Sequence, residues 1–154
     1  MLVEQRAEER DRLRGGVELR PGIAELMSDL AHPGIGLGLA ANQPARAVGA
    51  LDRLGVGQFL GHREVSGTNA LRKPDVRVFL QACAALEVKP EDTMLIGDRI
   101  DIDIAPAKSL GMTTVRFLWG RHMSQTPRSW SEVPDVEVSD TQGLRHALGS
   151  LGLV

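Results

Sequence analysis

Two hydrophobic periods take turns along the chain. Ile23, Leu26, Met27 and Leu30 recur at helical spacing behind Pro21, which sits where a first-turn proline belongs, and the pattern stops at His32-Pro33-Gly34. Residues 35–41 then form a continuous apolar run, suited to a strand buried on both faces. Asn42-Gln43-Pro44 breaks that run, and a helix through Val48, Leu51 and Leu54 follows until Gly55-Val56-Gly57. Residues 62–66 read as a short strand, 67–74 as a polar loop and 75–87 as a helix with Val76, Phe79, Leu80 and Cys83 on one face. Residues 93–97 and 112–117 are the next strands. Pro106 lacks an N–H, which is harmless only in a first turn, so the helix between these strands is expected from Asp103 to Leu110, ending at Gly111. Residues 119–134 read as loop, 136–138 as a last short strand and 141–151 as a last helix. At the other end, residues 4–14 are charged and free of breakers, an exposed helix that Gly15-Gly16 ends. Strands alternating with helices predict an α/β fold, a doubly wound parallel sheet with helices on both faces.

Composition narrows the classes without changing that picture. The chain has 154 residues, enough for one hydrophobic core. A net charge of -2, the lack of basic stripes and 3% aromatics argue against nucleic acid as a partner. Residues 1–6 lead into a mixed-charge stretch with no apolar signal region, and no apolar run is long enough to span a membrane, so the cytoplasm is the expected location. Cys83 lies on an apolar helix face and reads as a small core hydrophobe.

Chemistry is expected at the carboxyl ends of the strands, where open α/β sheets bind ligands. Gly97-Asp98-Arg99-Ile100-Asp101-Ile102-Asp103 places three carboxylates there. Two readings of them stand side by side. Asp98 and Asp103 can converge on a hard cation such as Mg²⁺, or Asp101 or Asp103 is an N-cap and Asp98 a solvated loop residue. Lys73 precedes Pro74, which restricts its backbone to an extended form. It is either solvated or a point charge for phosphate at the same sheet edge. Asn42 ends the first apolar run and by itself reads as a turn residue. The glycines of Gly36-Leu37-Gly38-Leu39-Ala40-Ala41 match the letters of a dinucleotide fingerprint but lie inside the apolar run, where they serve close packing instead. His122 sits on a loop at a strand's carboxyl end and reads as a surface histidine.

Taken in order, these pieces resemble the haloacid dehalogenase-like hydrolase superfamily from about residue 17 onward. Its second motif, a strand ending in Ser/Thr-Asn, is matched by Leu37-Gly38-Leu39-Ala40-Ala41-Asn42. Lys73-Pro74-Asp75 matches its third motif, and Gly97-Asp98 with Asp103 matches its fourth, in the phosphatase form. The resemblance implies a Mg²⁺-dependent phosphatase acting on a small phosphorylated molecule. Asp98 would ligate the ion, Asp103 would support the ion or its waters, Lys73 would neutralise the phosphoryl group, and Asn42 would hold a phosphate oxygen. It also implies a core domain over residues 17–154, with residues 1–16 a helical remnant of a cap or linker.

Two departures follow from the same comparison of motifs. The family's nucleophile lies in an Asp-x-Asp at the end of the central strand, and the one Asp-x-Asp in this chain, Asp101-Ile102-Asp103, belongs to the fourth motif. Ala41 stands where a phosphate-binding hydroxyl is expected. The central first strand is therefore expected to be missing, leaving two sheet edges that pair directly, take in residues 1–4, or join another chain as a homo-oligomer. The chain is read as truncated or degenerate, with weak Mg²⁺ binding and little or no phosphatase turnover expected, and with a non-catalytic module that binds a phosphorylated ligand or a protein as the alternative. A receiver-like signalling domain fits less well, because its Lys-Pro follows the acidic strands, whereas Lys73-Pro74 precedes Asp98. Incubation with acetyl phosphate separates the two: a receiver domain becomes stably phosphorylated, and this chain is expected not to.

Overall fold

A computed structural model describes residues 18–31, 34–68 and 70–154. Its elements are α1 (Ile23–Leu30), β1 (Gly38–Ala41), α2 (Arg46–Arg53), β2 (His62–Val65), α3 (Arg77–Ala85), β3 (Met94–Gly97), α4 (Ala105–Ser109), β4 (Thr113–Phe117), β5 (Val136–Val138) and α5 (Thr141–Ser150). The alternation of strand and helix is the one the hydrophobic pattern predicts. The expected helix over residues 4–14, its Gly15-Gly16 end, the boundary at residue 16 and the His32-Pro33 stop lie outside the described residues.

Every strand pair is parallel. β1 pairs with β2, and β3, β4 and β5 form a second group in that order. Among the described residues β1 and β3 each leave one edge unpaired, and the two do not pair with each other.

The side chains of a strand alternate between faces, and β4 turns Val115 and Phe117 to the first of two cores. Val115 and Phe117 join Leu26 and Leu30 of α1, Val138 of β5 and Leu144 and Leu148 of α5. On a second side, Phe79 and Cys83 of α3 pack on Ala107 and Met112, with Leu95 of β3 against them. Helix α3 also lies on β1 and β2. It thus lies against both strand groups. Gly38 allows part of that packing, since a Cβ there would stand 3.0 Å from Leu86 Cδ1.

Two expectations need correction. The first apolar run is a strand only from Gly38, because its partner β2 begins at His62, opposite Gly38. Residues 35–37 precede the ladder, and Ile35 and Leu37 pack on the first core instead. Secondly, the helix expected from Asp103 starts earlier. A wide π-type turn spans Ile100–Ile104, with the N–H groups of Asp103 and Ile104 both donating to Arg99 O at 3.1 Å. Pro106 still falls in the first turn of α4, where its missing N–H does no harm. No described helix is long and apolar enough to cross a membrane.

Leu148 is 2% exposed and Trp130 is 89% exposed. Leu148→Ala is expected to lower the unfolding free energy by about 2–5 kcal/mol in urea titration. Trp130→Ala is expected to change it by less than about 0.5 kcal/mol.

Candidate functional site

The carboxyl ends of β1 and β3 are joined through one residue from the loop between β2 and α3. Asn42, directly after β1, holds the backbone of Lys73 at two points: Lys73 N–H donates to Asn42 Oδ1 at 2.8 Å, and Asn42 Nδ2 donates to Lys73 O at 2.8 Å. The ammonium of Lys73 then reaches Asp103, donating to its Oδ1. Oδ2 of Asp103 accepts the N–H of Arg99 at 3.1 Å. Asp103 is 2% exposed, so this carboxylate is desolvated and depends on those partners.

Gly97 makes the arrangement sterically feasible. A Cβ at Gly97 would lie 2.6 Å from Asp103 Cβ, so only glycine lets Asp103 fold back over the end of β3. The spacing that suggested an N-cap therefore serves two ends: Asp103 caps a backbone N–H and pairs with Lys73.

Asp101 points elsewhere. Arg99 grips it with Nε at 3.0 Å and Nη2 at 2.5 Å, and Gln125 Nε2 donates to it at 3.0 Å. The Arg99 guanidinium holds the Asp101 carboxyl far below the usual carboxylate range, with Gln125 adding to the effect and burial opposing it. Asp98, half-buried beside them, has no side-chain hydrogen bond among the described residues.

The four residues singled out from sequence thus gather at one place: Asn42 on Lys73, Lys73 on Asp103, and Asp98 in the turn that Asp103 closes. His122 lies apart from these bonds, its ring accepting from Arg121 Nε at 3.3 Å. Cys83 is a buried core residue, with Thr93 Oγ1 3.6 Å from its sulfur. Arg99 and Gln125 carried no local signal. For Arg116 one cue existed, a charge inside an apolar strand. It is 2% exposed and ties the loop after β4 together through backbone carbonyls.

The donor chemistry suits a hard cation. Asp98 offers both its oxygens, and Asp103 uses one direction on each oxygen, leaving lone pairs that can accept from a metal-bound water. Among the described residues no three acidic, histidine or cysteine side chains close around one point. The residues that would hold such an ion are Asp98 and, through its remaining lone pairs, Asp103.

Comparison with known proteins gives this geometry its context. A family model described as haloacid dehalogenase-like hydrolase matches residues 2–111. The glyceraldehyde 3-phosphate phosphatase of Methanopyrus kandleri is 34% identical over 119 residues, covering 77% of this chain and 51% of that protein. A phosphoglycolate phosphatase of Pseudomonas putida is 28% identical over 127 residues, covering 80% of this chain and 45% of its own. A crystal structure of a HAD phosphatase from Thermococcus onnurineus superposes with a TM-score of 0.72 at 25% identity, covering 86% of this chain and 59% of that one. The chain spans about half the length of the curated relatives it matches.

The buried pair makes a testable demand. Asp103→Ala strands the Lys73 ammonium and the Arg99 N–H, and is expected to cost about 3–5 kcal/mol in denaturant unfolding. Lys73→Met with Asp103→Leu removes both charges and is expected to recover part of that loss. For Asp101 the folded-state pKa is depressed, so its pairing is fully present above the unfolded value near 3.9 and is lost only as pH falls through the depressed one. Carbon-detected titration is expected to show Asp101 still ionised at about pH 3, where an ordinary aspartate is mostly protonated.

Proposed function

This chain belongs to the haloacid dehalogenase-like hydrolase family, and from that premise we propose that it carries the cation- and phosphate-positioning half of a phosphatase site for a small phosphorylated metabolite. The observation that carries this reading is the convergence at the sheet edge. Asn42 fixes the backbone of Lys73, Asp103 fixes its ammonium, and Asp98 alone is left with its carboxylate open.

Each residue then has a role that its contacts support. Lys73 presents positive charge to a phosphoryl oxygen while Asp103 keeps it from straying. Asn42 has one amide N–H beyond the bond to Lys73 O, and that N–H is available to a phosphate oxygen. Asp98 would hold Mg²⁺ directly, and Asp103 would accept from water on the ion. The ion, when bound, neutralises phosphoryl charge and orients the group. A three-carbon phosphate ester or a phosphoglycolate is the expected ligand class, because those are the molecules in the names of the relatives.

Turnover by the chain as given is expected to be weak. Covalent phosphoryl transfer needs a carboxylate free to attack in line. The two carboxylates of the one Asp-x-Asp are both engaged: Asp101 by Arg99 and Gln125, Asp103 by Lys73 and Arg99 N–H.

Titration with phosphoglycolate, with and without Mg²⁺, tests the proposal by amide chemical shifts and by phosphate release. The expected shifts centre on Asn42, Lys73 and Asp98, need Mg²⁺, and weaken about tenfold or more in Lys73→Ala, the loss of one charge-assisted contact. Shifts that avoid these residues overturn the positioning role. Strong phosphate release abolished by Asp98→Asn overturns the statement that the site is incomplete.

A further inference from the structure

We propose that Gln125 is a positioning residue for the acidic turn at residues 98–103, bracing it from the loop after β4, with Arg116 as the anchor of that brace. The inference rests on the reading of Asp98 as the metal-facing carboxylate and adds a residue from outside the three motifs.

The turn has a capping problem. A helical segment leaves its first N–H groups without internal partners, and a Ser, Thr, Asp or Asn just before it is the usual remedy. Here the residue before the segment is Arg99, whose side chain provides no cap. Asp103 reaches back to the N–H of Arg99. The next N–H, that of Ile100, donates to Gln125 Oε1 at 2.9 Å. The same amide group donates from Nε2 to Asp101 at 3.0 Å. A glutamine 25 positions along the chain therefore fills the capping place and also fixes the neighbouring carboxylate.

A loop residue braces nothing unless it is itself held. Arg116 Nη2 donates to the carbonyl of Gln125 at 2.9 Å, to that of His122 at 2.9 Å and to that of Met123 at 3.3 Å. Arg116 is buried and its charge is met by Glu137 at 3.0 Å. In the ladder Arg116 stands opposite Gly97, the residue before Asp98. The strand pair that carries Asp98 thus also carries the anchor of its brace.

Gln125→Ala removes the acceptor at Ile100 and the donor at Asp101. Gln125→Glu keeps an acceptor for Ile100 and loses the donor. Amide exchange in the whole chain, followed by nuclear magnetic resonance, is expected to show Ile100 exchanging about tenfold faster in Gln125→Ala, with the Val115 amide in the core unchanged. Gln125→Glu is expected to keep Ile100 slow. Mg²⁺ titration is expected to need several-fold more ion to shift the Asp98 carboxyl carbon in Gln125→Ala. Unchanged Ile100 exchange overturns the proposal, and so does equal acceleration at Val115, which marks general loss of stability. An unchanged Mg²⁺ midpoint overturns it as well. If the unaltered chain shows no Mg²⁺ response at Asp98, the metal reading falls separately; exchange at Ile100 and the metal-free Asp98 shift then decide the brace.

Discussion

The buried contact between Lys73 and Asp103 fixes how the two strand groups of this fold stand at their functional ends. Lys73 is fastened to β1 by Asn42, and Asp103 is fastened to the end of β3 by the N–H of Arg99. The contact between them therefore ties two groups of strands that share no backbone ladder among the described residues. A charge pair this deep is favourable only when the remaining polar valences are met. That condition explains why the surrounding residues are so constrained: the glycine at 97, the amide at 42 and the backward reach of Asp103 each remove one cost of burying the pair.

The charge pattern around that contact has a functional consequence. Lys73 and Asp103 compensate each other, as do Arg99 and Asp101. What is left over in the turn is the carboxylate of Asp98. Asp98 is thus the one carboxylate of the turn that forms no ion pair with a cationic side chain among the described residues. The same pairing keeps the Lys73 ammonium in place at the carboxyl end of the strands.

Much of this was legible in the sequence, for identifiable reasons. The strands and helices follow from hydrophobic period, Asp98 and Asp103 from the acidic run that follows a strand, and Asn42 only from the order of motifs, since by itself it reads as a turn residue. Lys73 was legible through its proline and the order of motifs. The start of the helix at Ile100 was not, because Pro106 restricts the α-helical hydrogen bonds and says nothing about a wider turn before them. The strand start at Gly38 was set by a partner elsewhere in the chain. The bonds that Arg116 makes to the loop carbonyls and Gln125 to the Ile100 N–H escaped for a further reason: they go to backbone groups, which every residue possesses, so no residue type marks those targets.

The packing of α3 shows why the strand groups hold their relation below the site as well as at it. One helix lies on β1 and β2 and inserts Phe79 and Cys83 against Ala107 and Met112 on the other side. Apolar burial is non-directional and fixes distance loosely, whereas the Asn42–Lys73–Asp103 chain of polar contacts is directional and fixes it at the carboxyl ends. The two constraints together hold the carboxyl ends of β1 and β3 in a set relation, with Asp98 directly after β3. Neither Asp101 nor Asp103 can be spared from this arrangement, since freeing either would dismantle the contact between the strand groups or the turn that carries Asp98.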